Sequence, residues 1–398
     1  MSDQAILNDI NEILSESRHQ KSLVELYNQK KEQLGVSDKQ IADVLNIQYK
    51  TLMRILDKEA QKIDYVTLYK LSRFLKLHIE ELGRIYISED PDTISEIDRV
   101  RRNTYIIENF DLKTLKRIGL IDSISDLREV ENRIINFFRL DKITDYESLA
   151  TGVLFSKTKR TPHEKMRAFW VKSAHALFKK IDNPNDFDRQ SLVELLPKIR
   201  PYTQNVSKGF LIVAQALFNV GVTVIFQKYL DNTQVRGGTF VVDGKPCIVI
   251  TDYNKYYPTI WFALLHELHH VLYDIETIEK HKFHLTGEPD LFLLEEDKAN
   301  EFARELLFSK EKSKHIAPLI HNHLMVSKFA KENQVHQSIV YAFYQFDEHS
   351  EGNSFWGAFR KYFPDPKEAV GQLNLVPWEK ESIDESVEDL KLTLTQFT

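Results

Sequence analysis

Residues 258–274 read PTIWFALLHELHHVLYD and predict a long, mostly buried helix, opened by a proline and dominated by apolar residues. Within this stretch, residues 266–270 (HELHH) match the pattern H-E-x-x-H. His266 and His270 lie on one side of a helix, so both imidazoles can bind a single tetrahedral metal ion. Glu267, beside them, can take a proton from the attacking water. The alternative is a buried helix whose histidines hydrogen-bond to backbone or water.

A catalytic zinc site needs a third protein ligand and one open position for water. The next strong helical pattern, residues 293–308 (LLEEDKANEFARELLF), offers Glu296, and Asn300 lies four residues later on the same face, where it can support a ligand. The distance along the chain from His270 allows a loop to cross and a second helix to pack beside the first. Glu295 is the adjacent alternative, but it points about 100° away on a helix. We therefore predict Zn²⁺ held by the two motif histidines and Glu296.

The other histidines near the motif receive different predictions. His269 falls outside the five-residue pattern and is expected to pack or to support the ligands from behind. His281 and His284 follow in a polar stretch with Gly and Pro, which offers no framework to aim them at a metal. Tyr273 and Glu276 stand where the metzincin pattern requires glycine and histidine, so that class is disfavoured.

The two helical segments together resemble a known family. HELHH followed by EDKANEFARELLF looks like the ImmA/IrrE family of bacterial zinc metallopeptidases, whose pattern is HExxH and then ExxANxFAxxLL. The resemblance covers roughly residues 160 to 345. It implies that His266, His270 and Glu296 bind zinc and that Glu267 is the catalytic base. It also implies that the strand segment GKPCIVIT, just before the active helix, lies on the substrate side.

One downstream segment departs from the family pattern. VHQSIVYAFYQF resembles a helical segment usually written V-H-P-G-I-V-x-G-R-L, but Phe343 stands where the arginine is expected, and Ser338 and Ala342 replace glycines. A substrate contact made by that arginine would therefore be missing here, whereas zinc binding would be unaffected. The candidates for stabilising an oxyanion are His336, Tyr341 and Tyr344.

A small β-rich part precedes the motif helix. The stretches that read as strands are 222–227, 238–242 and 247–251. Asp243-Gly244 is the expected hairpin turn between the last two, and the chain as a whole predicts an α+β fold that is mainly α with a small β-sheet. Cys247 lies on the strand expected to border the active site, where its thiolate would act as a latch on the open zinc position. The alternative is that Cys247 is a small apolar residue of a buried strand.

The N-terminal part reads as a compact set of short helices. Residues 40–82, QIADVLNIQYKTLMRILDKEAQKIDYVTLYKLSRFLKLHIEEL, resemble the Cro and phage-repressor-like family of helix-turn-helix DNA-binding domains. Residues 21–78 carry 11 Lys+Arg against 7 Asp+Glu, an excess of four, which suits double-stranded DNA as a partner. The residues that the resemblance places on the exposed face of the recognition helix are Gln48, Tyr49, Lys50, Thr51 and Arg54. The alternative is a docking or dimerisation module with a solvated charged face.

Composition narrows the class of protein. The 398 residues contain one cysteine, so no internal disulfide can form, and the opening MSDQAILNDI lacks the basic and apolar run of a secretory signal. We therefore expect a cytoplasmic protein. Residues 209–226 (GFLIVAQALFNVGVTVIF) carry no charge, but Asn219-Val220-Gly221 interrupts them. They predict a buried helix, a turn and a strand rather than a membrane span.

These segments predict four parts and a linker. The parts are a DNA-binding domain (1–87), a helical connector for packing or homodimer formation (94–160), a zinc metallopeptidase (161–348) and an extension with an acidic, solvated tail (349–398). The linker is SEDPDT, residues 88–93.

The parts together predict a function. We expect a DNA-binding regulator joined to a zinc endopeptidase that conditionally cleaves a repressor-type helix-turn-helix protein, either a separate partner or this chain's own N-terminal domain. The alternative is a non-proteolytic transcription regulator or antitoxin whose zinc domain is structural or a sensor. Retention of Glu267 argues against that alternative, because a purely structural zinc site has no use for a base.

Overall fold

The computed structural model divides into two compact units. The residues that it describes are 21–60, 62–88, 91–149, 161–231, 233, 235, 237–251, 256–281, 283–286, 296–350 and 357–396. The chain separates between Asn103 and Thr104 into an N-terminal and a C-terminal unit. The division falls inside the helix Pro91–Asn109, beyond the linker predicted at 88–93.

The N-terminal unit consists of short helices. They are Leu23–Leu34 (α1), Asp38–Leu45 (α2), Tyr49–Leu56 (α3), Tyr65–Leu75 (α4), Ile79–Ser88 (α5) and the first part of Pro91–Asn109 (α6). Ser22 and Ser37 begin α1 and α2 with capping boxes, which satisfy backbone N–H groups at each helix start. Asn46 ends α2 in a left-handed conformation (φ 48°), which an asparagine tolerates. The result is a pair of short helices, α2 and α3, joined by a tight turn.

The core of this unit is an apolar cluster supported by one polar tie. Its fully buried members include Leu23, Tyr27, Ile41, Leu52, Ile55, Leu71 and Leu82. The Tyr27 hydroxyl donates to Asp38 (2.9 Å), and Lys31 pairs with the same carboxylate (2.8 Å). These contacts join α1 to the start of α2.

The C-terminal unit surrounds a small sheet with helices. The helices that follow α6 are Leu112–Arg117 (α7), Leu127–Phe138 (α8), Pro162–Ile181 (α9), Arg189–Ile199 (α10), Gly209–Asn219 (α11), Tyr257–Tyr273 (α12), Ile275–His281 (α13), Glu296–Leu307 (α14), Lys310–Ile316 (α15), His323–Glu332 (α16), Gln337–Ser350 (α17), Pro366–Val370 (α18) and Ile383–Thr395 (α19). Short 3-10 helices are Ile143–Leu149, Arg200–Gln204, Ala317–Leu319, Arg360–Tyr362, Gly371–Leu373 and Pro377–Glu379. The strands are Thr223–Gln227 (β1), Gly237–Val242 (β2), Lys245–Ile250 (β3), Phe283–Thr286 (β4) and Asn374–Leu375 (β5). A mainly helical chain with a small sheet confirms the predicted α+β class.

The sheet is mixed, with strand order β4-β2-β3-β1-β5. β1 runs parallel to β3 and β5, whereas β2 is antiparallel to both β3 and β4. The predicted hairpin between β2 and β3 is confirmed, because Asp243 and Gly244 both adopt positive φ (52° and 74°), as the tightest hairpin turns require. β4 is an edge strand held by β2 alone within the described part of the sheet.

The uncharged segment 209–226 forms α11, a turn and β1, as predicted. Gly221 makes the turn possible: its φ is 83°, and a Cβ there would lie 2.4 Å from the backbone oxygen of Asp186. None of the helices in the described ranges combines the length and apolar character that crossing a membrane requires.

Both ends of the C-terminal unit contribute to one core. Residues from 104–149 that enter it include Ile106, Leu115, Ile134, Phe137 and Tyr146. The prediction that the acidic tail is solvated was wrong, because this stretch forms α19 and packs against α9. Its buried residues recur at helical spacing and are Ile383, Val387, Leu390 and Leu394, which leaves the acids on the outer face.

A partly buried ion pair ties α14 to its neighbours. Arg304 on α14 donates two hydrogen bonds to the carboxylate of Asp347 on α17, both 2.7 Å long. Ser313 on α15 donates a third to the same carboxylate (2.7 Å). Burial alone would raise the pKa of Asp347, but the hydrogen bonds from Arg304 and Ser313 outweigh it and hold that pKa below its ordinary value. The ionised form of Asp347 therefore stabilises the helix that begins at Glu296.

We predict that Asp347→Asn lowers the free energy of unfolding by roughly 2 to 3 kcal/mol at pH 7, because charge-assisted hydrogen bonds are lost. The native pKa is depressed, so the contribution of Asp347 is full above the unfolded pKa near 4 and disappears as the pH falls through the native value. Urea unfolding of both proteins at pH 7 and pH 3 measures this. Asp389→Asn, which breaks the exposed pair with Lys380, is the control and should cost less than about 1 kcal/mol. An equal Asp347→Asn loss at both pH values would contradict the prediction.

Candidate functional site

Two adjacent helices bring three predicted ligands together. α12 carries His266 and His270 on one face, and α14 packs along it with Glu296 as its first residue. The Nε2 atoms of the two histidines are 3.2 Å apart. His266 Nε2 lies 3.1 Å from Glu296 Oε2, and His270 Nε2 lies 3.5 Å from Glu296 Oε1. Glu295, the alternative ligand, lies outside the described residues.

These separations fit a tetrahedral cation. Ligand bonds of about 2.0 to 2.2 Å place the donor atoms of tetrahedral zinc roughly 3.3 to 3.6 Å apart. His266, His270 and Glu296 form a group in which every donor atom lies within 4.8 Å of the others. Two imidazoles and a carboxylate are borderline-hard donors that suit zinc and similar divalent ions. The group could therefore hold a metal ion.

The second ring nitrogen, Nδ1, of each motif histidine also has a hydrogen-bond partner. His266 Nδ1 lies 3.0 Å from Asn300 Oδ1, and His270 Nδ1 lies 2.8 Å from Asp274 Oδ2. Each oxygen can accept the Nδ1 proton, which makes Nε2 the ring atom available to a metal ion. Asn300 was predicted in this supporting role, but Asp274 was missed. Its signal in the sequence is an acid four residues after the second motif histidine.

The charges at the site favour a cation. Burial alone would lower the pKa of His270, but Glu296, Glu267 and Asp274 outweigh it and raise that pKa to about 9. Burial would raise the pKa of Glu296, whereas hydrogen bonds from His266, His270 and His284 hold it well below its usual range. Both shifts have one cause: the Nε2 atoms and the Glu296 carboxylate lie within 3.5 Å of each other. A divalent cation at that point would replace the proton charge.

Glu267, the predicted base, is fully buried between α12 and the sheet. Thr239 on β2 donates a hydrogen bond to its Oε2 (2.7 Å), and Thr286 on β4 donates one to its Oε1 (2.6 Å). A Cβ at position 237 would lie 2.9 Å from Oε1, so Gly237 leaves the room that the carboxylate fills. The carboxylate is thus fixed against the sheet by two strands.

His284 is a site residue that the sequence prediction missed. It was expected in a loop without a framework, but it lies on β4, is buried, and places Nε2 2.9 Å from Glu296 Oε1. Its ring also packs 4.6 Å from that of His270. His281 ends α13 rather than lying in a loop. The prediction was wrong because pairing with β2, distant in sequence, is what orders β4.

Cys247 faces away from this group, so the predicted latch is wrong. In the β2–β3 pairing, Thr239 lies opposite Ile248, whereas Phe240 lies opposite Cys247. Side chains directly across a strand pair share one sheet face, and successive residues alternate. Since Thr239 faces Glu267, Cys247 lies on the other face, which α9 covers. Cys247 is fully buried and its pKa is raised by burial, so it is a small apolar residue of a buried strand.

Other residues of the motif segments make aromatic and cation–π contacts around the motif histidines. His269 packs against the rings of Tyr273 (4.8 Å) and Phe302 (5.4 Å). Phe343, where the resemblance would place an arginine, packs edge-on against Phe262, which in turn lies beside His266. The Arg304 guanidinium covers the Phe343 ring at 4.6 Å. An arginine at 343 would place a second cation against Arg304.

The oxyanion candidates pack against aromatic rings. His336 packs against Tyr257 in the first turn of α12, which is nine residues, or about 13 Å of helix, before His266. Tyr341 is stacked between Phe359 and Tyr362, and Tyr344 lies against Phe359. The contacts of these three side chains thus involve the start of α12 and an aromatic cluster.

In the N-terminal unit, the residues predicted to contact DNA are exposed and lie at the start of α3 and along it. The exposed residues are Gln48, Tyr49, Lys50, Thr51 and Arg54. Leu52, Ile55 and Leu56 are buried on the opposite side. Gln48 precedes the helix without capping it by a side-chain hydrogen bond, so its amide remains available to a partner.

No protein family model matches this chain, and neither a curated protein nor a solved structure shows significant similarity to it.

We predict that Thr239→Val lowers the free energy of unfolding by about 1.5 to 3 kcal/mol, because a buried carboxylate loses one of its two hydroxyl donors. Thr233→Val is the matched control: it removes a buried hydroxyl that donates to the neutral carbonyl of Leu230 (2.8 Å) and should cost about 1 kcal/mol. Urea unfolding of the metal-free proteins measures both. Equal losses would show that Thr239 does not stabilise the charge of Glu267.

Proposed function

We propose that the C-terminal unit is a zinc-dependent endopeptidase and that the N-terminal unit binds double-stranded DNA. One observation supports the peptidase: His266, His270 and Glu296 converge beside the buried carboxylate of Glu267. Two histidines and one carboxylate are the donor set of catalytic zinc sites that keep one position open. A base adjacent to such a set is required for hydrolysis and serves no purpose in a structural site.

Each residue of the site has its own role in the proposed peptide hydrolysis. His266, His270 and Glu296 would hold Zn²⁺, with Asn300 and Asp274 orienting the two imidazoles. Zinc bound there supplies a Lewis acid that polarises the peptide carbonyl and makes water acidic enough to react at neutral pH. Glu267 accepts the proton of the attacking water and passes it to the departing amine. Thr239 and Thr286 keep its carboxylate in place.

The resemblance to the ImmA/IrrE family supports the same assignment and suggests the substrate. On that basis we propose that the protein is cytoplasmic and conditionally cleaves a repressor-type helix-turn-helix protein, either a partner or its own N-terminal unit. The resemblance rests on HELHH and EDKANEFARELLF, residue by residue. Its departure at Phe343 removes one cationic side chain from the expected substrate contacts.

A second function has its own support. Phe343 stands where the resemblance expects an arginine, and both oxygens of Glu267 already accept hydrogen bonds from threonine hydroxyls. A non-proteolytic transcription regulator or antitoxin with a zinc sensor fits these two observations. Under that reading the site binds zinc but does not hydrolyse peptides.

For the peptidase, we predict that His270→Ala and Glu296→Ala lose bound zinc, whereas Glu267→Gln retains it. Cleavage by Glu267→Gln should fall by about 10² to 10⁴-fold, because the base is lost while the metal site remains. Zinc content is measured by elemental analysis of the full chain. Cleavage of repressor-type proteins and of the chain itself is followed by mass spectrometry, with and without single-stranded or duplex DNA.

Glu276→Gln, an exposed change on α13, is the control and should alter neither quantity. Zinc-loaded wild type that cleaves nothing under every condition would favour the sensor. Retention of one zinc per chain by Glu296→Ala would show that Glu296 is not a ligand.

For DNA binding, we predict that Gln48→Ala weakens binding to a selected duplex by about 1 to 3 kcal/mol and relaxes preference at one base pair. Lys50→Ala, if it removes a phosphate contact, should weaken all sequences alike and reduce the salt dependence. Gln33→Ala, an exposed change at the end of α1, is the matched control. Salt-titrated fluorescence anisotropy with the full chain measures these effects. Undetectable or salt-independent binding would favour a docking module.

A further inference from the structure

The third ligand, Glu296, has different partners on its two oxygens. Oε2 lies 3.1 Å from His266 Nε2. Oε1 lies 2.9 Å from His284 Nε2, which is closer than His270 Nε2 at 3.5 Å. A separation of 2.9 Å is the ordinary length of an N–H···O hydrogen bond. His284 is therefore the nearest partner of the oxygen that points away from His266.

The position of His284 is set by the backbone of a strand. In the pairing of β2 with β4, Thr239 lies opposite His284, and Gly237 lies opposite Thr286. Cross-strand partners and alternate residues share a face, so Thr239, His284 and Thr286 all project from the same side of the sheet. Thr239 and Thr286 hold Glu267 from that side. One pair of strands thus contacts both the predicted base and the third ligand.

We propose that His284 is a positioning residue: it donates its Nε2 proton to Glu296 Oε1 and thereby makes Glu296 a ligand through one oxygen only. The proposal rests on the metal site of the proposed function. Among the described residues, the group of donor atoms mutually within 4.8 Å that contains Glu296 consists of His266, His270 and Glu296, without His284. His284 thus acts on Glu296 rather than on the metal ion itself.

This arrangement determines how many positions of the metal remain free. A carboxylate with both oxygens available can bind a cation through both and occupy two positions. An N–H donor on Oε1 would compete for that oxygen, so His266, His270 and one oxygen of Glu296 would hold the ion and leave one position open, as a catalytic zinc site requires. Hydrogen-bond donors behind metal ligands also raise affinity, and their loss costs about 10 to 100-fold in metal binding.

The test compares His284→Phe, which keeps a flat ring without a donor, with His284→Gln, whose amide nitrogen can replace Nε2–H. His281→Gln on α13 is the matched control. Zinc affinity is measured by competition with a chelator, and the visible spectrum of the Co²⁺-loaded full chain reports the coordination number. We expect His284→Phe to bind zinc 10 to 100-fold more weakly and to show weaker Co²⁺ absorption, typical of higher coordination. His284→Gln should recover most of the affinity and the wild-type spectrum.

Two results would overturn the proposal. Wild-type affinity and spectrum in His284→Phe would show that His284 only packs. Equal loss in His284→Gln and His284→Phe, with both proteins folded by circular dichroism, would indicate that the ring nitrogen binds the metal directly. These readouts need no peptidase activity. A wild type that binds zinc but cleaves nothing therefore contradicts the endopeptidase alone, whereas a wild type without zinc contradicts the metal site itself.

Discussion

The C-terminal unit depends on one constraint: three imidazoles (His266, His270 and His284) and three carboxylates (Glu267, Asp274 and Glu296) are brought together in and around a largely apolar interior. Buried charges and polar groups are stable only when they have partners. His266, His270 and Glu296 satisfy one another, and Asn300 and Asp274 satisfy the outer nitrogens of the two rings. The packing of α12 against α14 is thereby set, because a shift of one helix along the other would break several of these contacts at once.

The sheet also supplies partners for these buried polar groups. The face of β2 and β4 toward α12 is polar where it meets Glu267 and Glu296, and Gly237 leaves the space for a carboxylate. The opposite face is apolar and carries Phe240 and Cys247 against α9. The two sides of one small sheet therefore have separate tasks: one orients acids and histidines, and the other completes the core.

The two functional readings differ in how this polar site is used. A structural or sensing zinc site is complete when the ion is held, whereas a hydrolytic site must also keep one position and one base available. Glu267 is present and fixed, which supports hydrolysis. Phe343, covered by the Arg304 guanidinium, replaces a cation that the resemblance would place there. A peptidase of this design would rely on the metal and Glu267, with fewer charged contacts to the substrate.

The local patterns of the sequence were sufficient for the α+β class, the Asp243-Gly244 hairpin and the helix-turn-strand at 209–226. They also identified His266, His270, Glu296 and Asn300 as candidates, because residues four apart on a helix share a face regardless of the tertiary structure. Tertiary structure alone decided the rest. Within the described part of the sheet, β4 pairs with β2, which is distant in sequence, and the sheet face of a residue depends on register, so neither the position of His284 nor the orientation of Cys247 was readable beforehand. The C-terminal helix is acidic in composition, but its apolar residues recur at helical spacing; what only the tertiary structure decided is that this apolar side packs on α9.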